Sequence, residues 1–132
     1  MSNHHVSLCV CGSGKAFSKC CDRFLNKGQS PRTPVLLMRS RYSAFVLGGY
    51  GEYLFDTWHP DYRTGLSPLE LSSNSTDWCG LEVLDKSQHG ETGMVEFKAM
   101  FYDQGGNISV HHERSSFERI NGKWVYSVGD VQ

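Results

Sequence analysis

The clearest pattern in the chain is an apolar repeat of three to four residues, which predicts an amphipathic helix. Thr33 suits the N-cap of this helix and Pro34 its first position, and Gly48-Gly49 ends it. Two shorter helices are predicted after it, over residues 50–58 and from Ser67 onward. The apolar face of the first helix consists of Val35, Met38, Tyr42, Phe45 and Val46.

After these helices the apolar period changes to two, which is typical of strands with one buried face. Val95 and Phe97, for example, alternate with Glu96 and Lys98. Asn121-Gly122 predicts a two-residue hairpin turn. The predicted strands cover residues 81–87, 94–102, 108–119 and 123–128.

Three helices followed by about four antiparallel strands predict an α+β fold, with the helices packed on one face of a curved sheet. We expect this domain over residues 28–132. A linker that contains glycine, serine and proline separates it from a small N-terminal unit, residues 1–27, which we call the hook.

Four of the five cysteines lie in the hook, as Cys9, Cys11, Cys20 and Cys21. A segment this short cannot bury a core of its own, whereas four thiolates around one structural zinc ion can hold it in shape. Glycines after Cys11 allow a sharp turn there, and residues 16–25 have the composition of a short helix. The sequence therefore predicts a Cys₄ zinc site.

Disulfides, a redox pair and ordinary core cysteines are the alternatives to zinc. Disulfides are disfavoured because nothing marks the chain as secreted, and a Cys-x-x-Cys redox motif is missing from the sequence. His4 and His5 are spare ligands at most, because four cysteines complete a tetrahedron. Cys79 is predicted to be a buried, inert thiol.

The cysteine spacing resembles the SEC-C motif, a zinc hook found at the C-terminus of the SecA translocation ATPase. The SecA hook ends in cysteine and histidine, and the pair Cys20-Cys21 is a common variant of that ending. The SecA hook contacts an acidic chaperone surface. The resemblance therefore implies that Lys15 and Lys19 contact a protein partner.

Charge is divided unevenly along the chain. Residues 1–41 contain seven lysines and arginines and one acidic residue, whereas the rest contains six basic and thirteen acidic residues. This basic N-terminal part suits an acidic partner or its own acidic body. Nucleic-acid binding is disfavoured, because few exposed aromatic residues are interleaved with the basic ones.

Localisation is predicted from two further features. Apolar runs are all shorter than the roughly 18 residues that span a bilayer, so no membrane segment is expected. Residues 1–5 lack the basic start and apolar stretch of a signal peptide. We therefore expect a cytoplasmic protein.

The helix order and the long hairpins resemble the NTF2-like cone, and several motifs are similar to those of the bacterial YchJ family. That family joins a SEC-C hook to an NTF2-like domain, and many members carry a second hook at the C-terminus, whereas this sequence ends at Gln132. The motifs are Met38-Arg39-Ser40-Arg41-Tyr42, Thr57-Trp58-His59-Pro60, and His112-Glu113-Arg114-Ser115 with Phe117 and Trp124.

NTF2-like cones often hold a pocket between helices and sheet, which implies a small polar or anionic ligand. Arg41 and one of His112 or Glu113 are predicted to lie in one cavity, because a charge beside inward-facing apolar residues must pair or meet a wet space. A structural pairing of these residues is the alternative. The remaining pocket candidates are Tyr42, Trp58 and His59, and His59 can instead cap a helix before Pro60.

Strand geometry limits the pocket. His112 and Glu113 are adjacent, so a regular strand points them to opposite faces. Arg41 is favoured over Arg39, because the two lie about 200° apart on a helix and Arg41 adjoins its apolar face. His111 is assigned no role.

Two classes of function follow from these observations. The first is a non-enzymatic adaptor, in which the zinc hook binds a protein partner. The second is a ligand-binding protein or enzyme that uses the cone pocket. Fold alone does not separate them, because NTF2-like domains carry many activities.

Overall fold

The structure is a computed structural model that describes residues 7–132. His4 and His5 lie outside the described residues. Within residues 7–132 there are four α-helices and four strands, and the helices precede the sheet. The helices are α1 (Asp22–Leu25), α2 (Pro34–Leu47), α3 (Gly51–Asp56) and α4 (Pro68–Leu71), with short 3₁₀ turns at Phe17–Lys19 and Pro60–Tyr62.

Two predicted helix starts are confirmed by their caps. Thr33 Oγ1 accepts a hydrogen bond from the Leu36 N–H at 3.2 Å, and Ser67 Oγ accepts one from the Glu70 N–H at 3.2 Å. Each cap therefore satisfies a backbone donor that the first helical turn leaves free.

The helix predicted over residues 16–25 is broken in two. Its break is at Cys20, where φ is −129° and ψ is −117°. Adjacent residues of a continuous helix point about 100° apart, so Cys20 and Cys21 could not both face one point on a regular helix. The break brings both thiols to the same cluster.

The strands form one antiparallel sheet in the order β1-β2-β3-β4. The Asn121-Gly122 turn between β3 and β4 has φ of 51° and 79°, the left-handed pair that a type I′ hairpin requires, so this prediction is confirmed. The first strand begins before the predicted residue 81. The bounds of the four strands are β1 (Asp77–His89), β2 (Thr92–Tyr102), β3 (Ile108–Ile120) and β4 (Lys123–Val131).

Helix α2 lies against the sheet and is buried on more than one side. Leu37 and Met38 pack with Val95, Phe117 and Trp124 in the main core. Polar residues of α2 are also covered: Ser40 and Ser43 are fully buried. This happens because the hook covers one side of the helix while α3 packs near another.

The described part of the hook packs directly on the body. Its four cysteines share one buried cluster with Tyr42 of α2 and Ala99 of β2. Arg39 donates a 2.7 Å hydrogen bond from Nη1 to the Cys11 carbonyl. The linker thus joins two units that are in contact through side chains of both.

Two other observations bear on the sequence expectations. Cys79 is exposed, not buried, because Trp78 faces inward at a β-bulge and its neighbour faces out. No helix in the described part of the chain is long and apolar enough to cross a membrane.

Candidate functional site

The first candidate site is the cysteine cluster of the hook. The four sulfur atoms lie within 4.8 Å of one another, and Cys11 Sγ and Cys20 Sγ are 3.6 Å apart. Tetrahedral ligands about 2.3 Å from one ion are about 3.8 Å from each other, so this spacing suits a Cys₄ metal site. All five cysteines of the chain are free thiols, which excludes the disulfide alternative in this structure.

Local backbone geometry brings the first two cysteines to the cluster. Gly12 and Gly14 have φ of 77° and 83°, values that residues with a Cβ rarely adopt. The Cys9 N–H donates to the Lys15 carbonyl at 2.8 Å and closes this turn. Two glycines and one backbone bond therefore form the tight loop that the sequence predicted.

Polar groups surround the sulfurs. Ser13 Oγ lies 3.2 Å from Cys20 Sγ, and Ser43 Oγ of α2 lies 3.7 Å from Cys9 Sγ. Hydrogen bonding from the Cys21 thiol lowers the pKa of Cys11 to about 4, so a thiolate is stabilised there. The thiolate is the form that binds metal. Hydrogen bonds from neighbouring groups, such as the two serine hydroxyls, orient metal ligands.

The second candidate site is a cavity of about 350 Å³ between α2 and the sheet. Residues of α2 at spacings of three and four line one side, and inward-facing strand residues line the other. Its walls are mostly aromatic and apolar. The lining residues are Met38, Arg41, Tyr42, Phe45, Trp58, Trp78, Phe97, Ala99, His111, Glu113, Ser115, Phe117 and Tyr126.

Arg41 supplies a buried positive charge to this cavity. Its Nη1 donates to the Leu54 carbonyl at 2.8 Å and to Thr57 Oγ1 at 2.7 Å. The guanidinium carbon lies 4.9 Å from the ring centre of Trp58 and 5.0 Å from that of Tyr126. No carboxylate within residues 7–132 lies within 4.0 Å of Arg41.

Burial lowers the pKa of Arg41 to about 10, and the neighbouring tyrosines and Glu113 oppose that shift. The guanidinium is charged at neutral pH all the same, because this value lies well above 7. The cavity wall therefore carries a cation that the protein compensates with dipoles and rings rather than with an ion pair.

Glu113 is the centre of a hydrogen-bond network on the sheet side. Its Oε1 lies 2.8 Å from His111 Nε2, and its Oε2 accepts hydrogen bonds from Ser115 Oγ and from the Tyr126 hydroxyl, the latter at 3.1 Å. Gly129 lies opposite Ser115 in β4, where a Cβ would collide with the Glu113 carboxylate. The glycine thus leaves the space that this carboxylate occupies.

Burial raises the pKa of Tyr126, and the nearby Glu113 carboxylate raises it further. The phenol therefore keeps its proton at neutral pH and acts as a donor to Glu113. Trp58 adds one more donor to the same region: its Nε1 is buried and has no hydrogen-bond partner within the described chain.

The structure places Arg41, Tyr42, Trp58 and Glu113 of the sequence candidates around this cavity. His112 lies outside it, on the other face of β3, where its Nε2 is 2.7 Å from Glu96 Oε2. Pairing between β2 and β3 runs without a bulge, so the strict alternation of faces holds.

His59 also lies outside the cavity lining. Its Nδ1 accepts a 3.0 Å hydrogen bond from the Asp61 N–H and caps the short turn at Pro60–Tyr62. Its Nε2 is 3.4 Å from Glu118 Oε2. The sequence offered capping of the helix before Pro60 as the alternative to a pocket role, whereas His59 caps the turn that begins at Pro60.

Sequence reasoning missed His111, which lines the cavity and pairs with Glu113. The signal was available, because residues two apart on a strand share a face. Lys15 and Lys19, the predicted partner-binding residues, are exposed on the hook.

Known proteins resemble this chain over most of its length. Residues 33–129 match the family described as YchJ, middle NTF2-like domain, and residues 7–23 match the SEC-C motif. A UPF0225 protein of Serratia proteamaculans is 43% identical over 127 residues, which cover 92% of this chain and 82% of that protein. Another from Streptomyces coelicolor is 44% identical over 125 residues, covering 92% of this chain and 94% of that protein.

Two solved structures share the fold. A SEC-C motif containing protein from Rhodopseudomonas palustris has a TM-score of 0.86 at 38% identity, covering 94% of this chain and 98% of that one. A SEC-C motif containing protein from Psychrobacter arcticus has a TM-score of 0.75 at 31% identity, and the match covers 98% of this chain and 77% of that one. With its SEC-C hook, its four-cysteine cluster typical of metal binding and its NTF2-like body, the chain belongs to the YchJ-like UPF0225 family.

Proposed function

We propose that the protein binds a small organic anion in the cavity between α2 and the sheet. The observation that carries this proposal is Arg41, a buried cation with no carboxylate of residues 7–132 within 4.0 Å. A structural arginine would be expected to pair with Glu113, which lines the same cavity. Glu113 is instead held by His111, Ser115 and Tyr126.

Arg41 therefore lines the cavity without using the Glu113 carboxylate as its counter-ion. A buried charge without a counter-ion costs free energy, and an anionic group beside Arg41 would recover part of that cost. Both hydrogen bonds of Arg41 to the described chain use Nη1, so its other nitrogens can serve a ligand. A carboxylate suits a guanidinium well, because two parallel hydrogen bonds can form.

The rest of the cavity favours a planar apolar group on the same ligand. Trp58, Trp78 and Phe97 line it, and flat rings pack well against such walls. A cavity of about 350 Å³ lies within the usual range for small-molecule sites. An aromatic or unsaturated carboxylic acid combines both requirements.

Binding of phenylacetate and its neutral amide tests this proposal. We expect phenylacetate to bind about tenfold more tightly than phenylacetamide, which corresponds to about 1.4 kcal/mol. The preference should vanish in Arg41→Gln, which keeps a hydrogen-bond donor and loses the charge. Fluorescence of Trp58 and Trp78 reports binding directly, because both line the cavity.

Arg114→Gln is the matched control, because the Arg114 side chain is 51% exposed and lies 3.6 Å from Glu96, outside the cavity lining. That variant should keep the full preference for the anion. Equal affinity of wild-type protein for the acid and the amide would contradict the proposed anion site.

For the hook we propose one structural zinc ion, held by Cys9, Cys11, Cys20 and Cys21. The proposal is supported by their four clustered sulfurs and by the preference of zinc for four thiolates. Such a site needs reduced thiols, which supports a cytoplasmic location.

Elemental analysis of purified protein should give about one equivalent of zinc. Another metal at that stoichiometry, or less than half an equivalent of any, would contradict this assignment.

A second candidate function is docking of an acidic protein partner on the hook. Two apolar side chains of the hook are exposed near Lys15 and Lys19, which are exposed as well. The exposed fractions are 64% for Leu8 and 40% for Val10. Apolar contacts next to lysines suit an acidic surface that also carries apolar side chains. Adaptor and cavity functions are compatible, because the lysines are not among the cavity lining residues.

An oligoglutamate peptide provides the simplest probe for that docking. Binding should weaken as salt rises and should be lost in the double variant Lys15→Glu/Lys19→Glu. Lys123→Glu is the control, since Lys123 is an exposed lysine at the start of β4. If the double variant and this control bound the peptide equally, the hook lysines would have no part in docking.

A further inference from the structure

His111 carries the strongest unexplained chemistry in the cavity. Its side chain is 33% exposed, and its ring centre lies 6.3 Å from those of both Trp78 and Phe97. Nε2 contacts Glu113, whereas Nδ1 makes no hydrogen bond within residues 7–132. One ring nitrogen is therefore held by the protein and the other is left free.

Glu113 decides which nitrogen carries the proton. Its Oε2 already accepts two hydrogen bonds, from the Ser115 and Tyr126 hydroxyls. The remaining oxygen faces Nε2 at 2.8 Å and favours the tautomer with hydrogen on that nitrogen. Nδ1 then has a free lone pair, and a carboxylate behind an imidazole also stabilises the imidazolium that forms when Nδ1 accepts a proton.

We propose that His111 is a general base in this cavity and that Glu113 is its positioning residue. The inference rests on the proposed anion site, because Arg41 lines the same cavity and would hold the substrate. The substrate class that fits is a small carboxylic acid with a second carbonyl group and an acidic C–H beside it. Such a 2-oxo acid combines an anion for Arg41 with a proton for Nδ1.

The reaction is a reversible proton transfer that needs no oxidant, reductant or further reactant. Nδ1 takes a proton from the carbon next to the carbonyl, and the electron pair of that C–H bond forms a carbon–carbon double bond. The carbonyl π bond opens, so that its oxygen gains the negative charge. The Arg41 cation in the cavity stabilises this charge. Return of the proton from the imidazolium to carbon regenerates the acid or, at another carbon, an isomer.

Deuterium exchange of phenylpyruvate tests this step. Its CH₂ protons should exchange with D₂O about 10²-fold faster with the protein than without it, as followed by proton NMR. His111→Asn should abolish the acceleration. His112→Asn should retain it, because His112 is the neighbouring histidine on the opposite face of β3. Circular dichroism establishes that both variants fold.

Glu113→Gln provides a second variant if His111→Asn does not fold, and it should also lose most of the acceleration. The wild-type ring gives a readout that needs no variant. Nitrogen-15 NMR of the neutral His111 ring should show the hydrogen on Nε2 and none on Nδ1. The opposite tautomer would overturn the inference, since no lone pair would then be free at Nδ1.

Binding is measured in the same samples by tryptophan fluorescence, so two failures can be told apart. Phenylpyruvate that binds without faster exchange overturns His111 as a base and leaves the anion site intact. If His111→Asn and His112→Asn lost the acceleration of exchange equally, His111 would likewise be overturned as the base. Failure of both phenylpyruvate and phenylacetate to bind overturns the anion site and, with it, the base.

Discussion

Cys20→Ser should release the metal from the hook and lower the unfolding free energy of the whole protein. The hook cysteines share a buried cluster with Tyr42 and Ala99, so loss of the metal should uncover part of the body as well. A ligand that binds only the folded state stabilises it by about 4 kcal/mol when its free concentration is a thousandfold above its Kd. We expect a loss of that order, measured by urea unfolding with metal present.

Cys79→Ser is the matched control, because Cys79 is an exposed thiol outside the cluster. Its zinc content and unfolding midpoint should match those of the wild type. Two independent units joined by a flexible linker would give the opposite result for Cys20, namely local unfolding up to about residue 27 and an intact body. If the Cys20 variant unfolded with the wild-type midpoint, the hook and the body would be independent units despite their contact.

Glu113→Ala is expected to have the second large effect, on stability and on the cavity together. The change removes the acceptor for Ser115, which is 1% exposed, and for the Tyr126 hydroxyl. A buried donor without an acceptor costs roughly 1–3 kcal/mol, so a total loss of about 3 kcal/mol is expected. Chemical unfolding measures this loss, and phenylacetate binding in the same variant measures the change in the cavity.

Glu82→Ala serves as the comparison, because Glu82 is an exposed glutamate in β1. Its unfolding free energy should stay within about 0.5 kcal/mol of the wild-type value, as surface changes usually do. Unchanged stability in Glu113→Ala would mean that water or a new rotamer replaces the carboxylate at little cost. The network would then be too weakly held to orient His111.

The hook and the cavity meet at the same residues, which links the two candidate sites physically. Tyr42 and Ala99 belong to the buried cysteine cluster and also line the cavity, and Trp78 and Phe97 touch both. A metal ion in the hook would therefore support one wall of the ligand site. This is a structural reason for a chain to keep a metal-binding hook on a body with the proposed anion site.

The sequence predicted those structural features that depend on residues close together along the chain. The cysteine spacing predicted the cluster, and Thr33, Ser67 and Asn121-Gly122 predicted their caps and turn. The separation of His112 from Glu113 followed in the same way, since alternation along a strand is a property of the backbone. Each of these features depends on residues within about a dozen positions of one another.

The first apolar residues of β3 do not mark the face that meets the cavity. Ile108 and Val110 are apolar and yet 61% and 53% exposed, whereas the polar His111 and Glu113 point inward. Apolar residues usually mark the buried face, but a cavity wall with a polar network reverses that rule. His111 was overlooked for this reason.

The sequence by itself determined the helices, the sheet, the hook and the residue types that could carry chemistry, because hydrophobic period, caps and ligand spacing are local. Only the tertiary structure decided that the hook covers α2, that Ser43 meets Cys9, and that Arg41 is buried without an ion pair to the described residues. These facts depend on distances between segments far apart in the chain. Such distances are set by how whole elements pack, and one segment's sequence does not contain them.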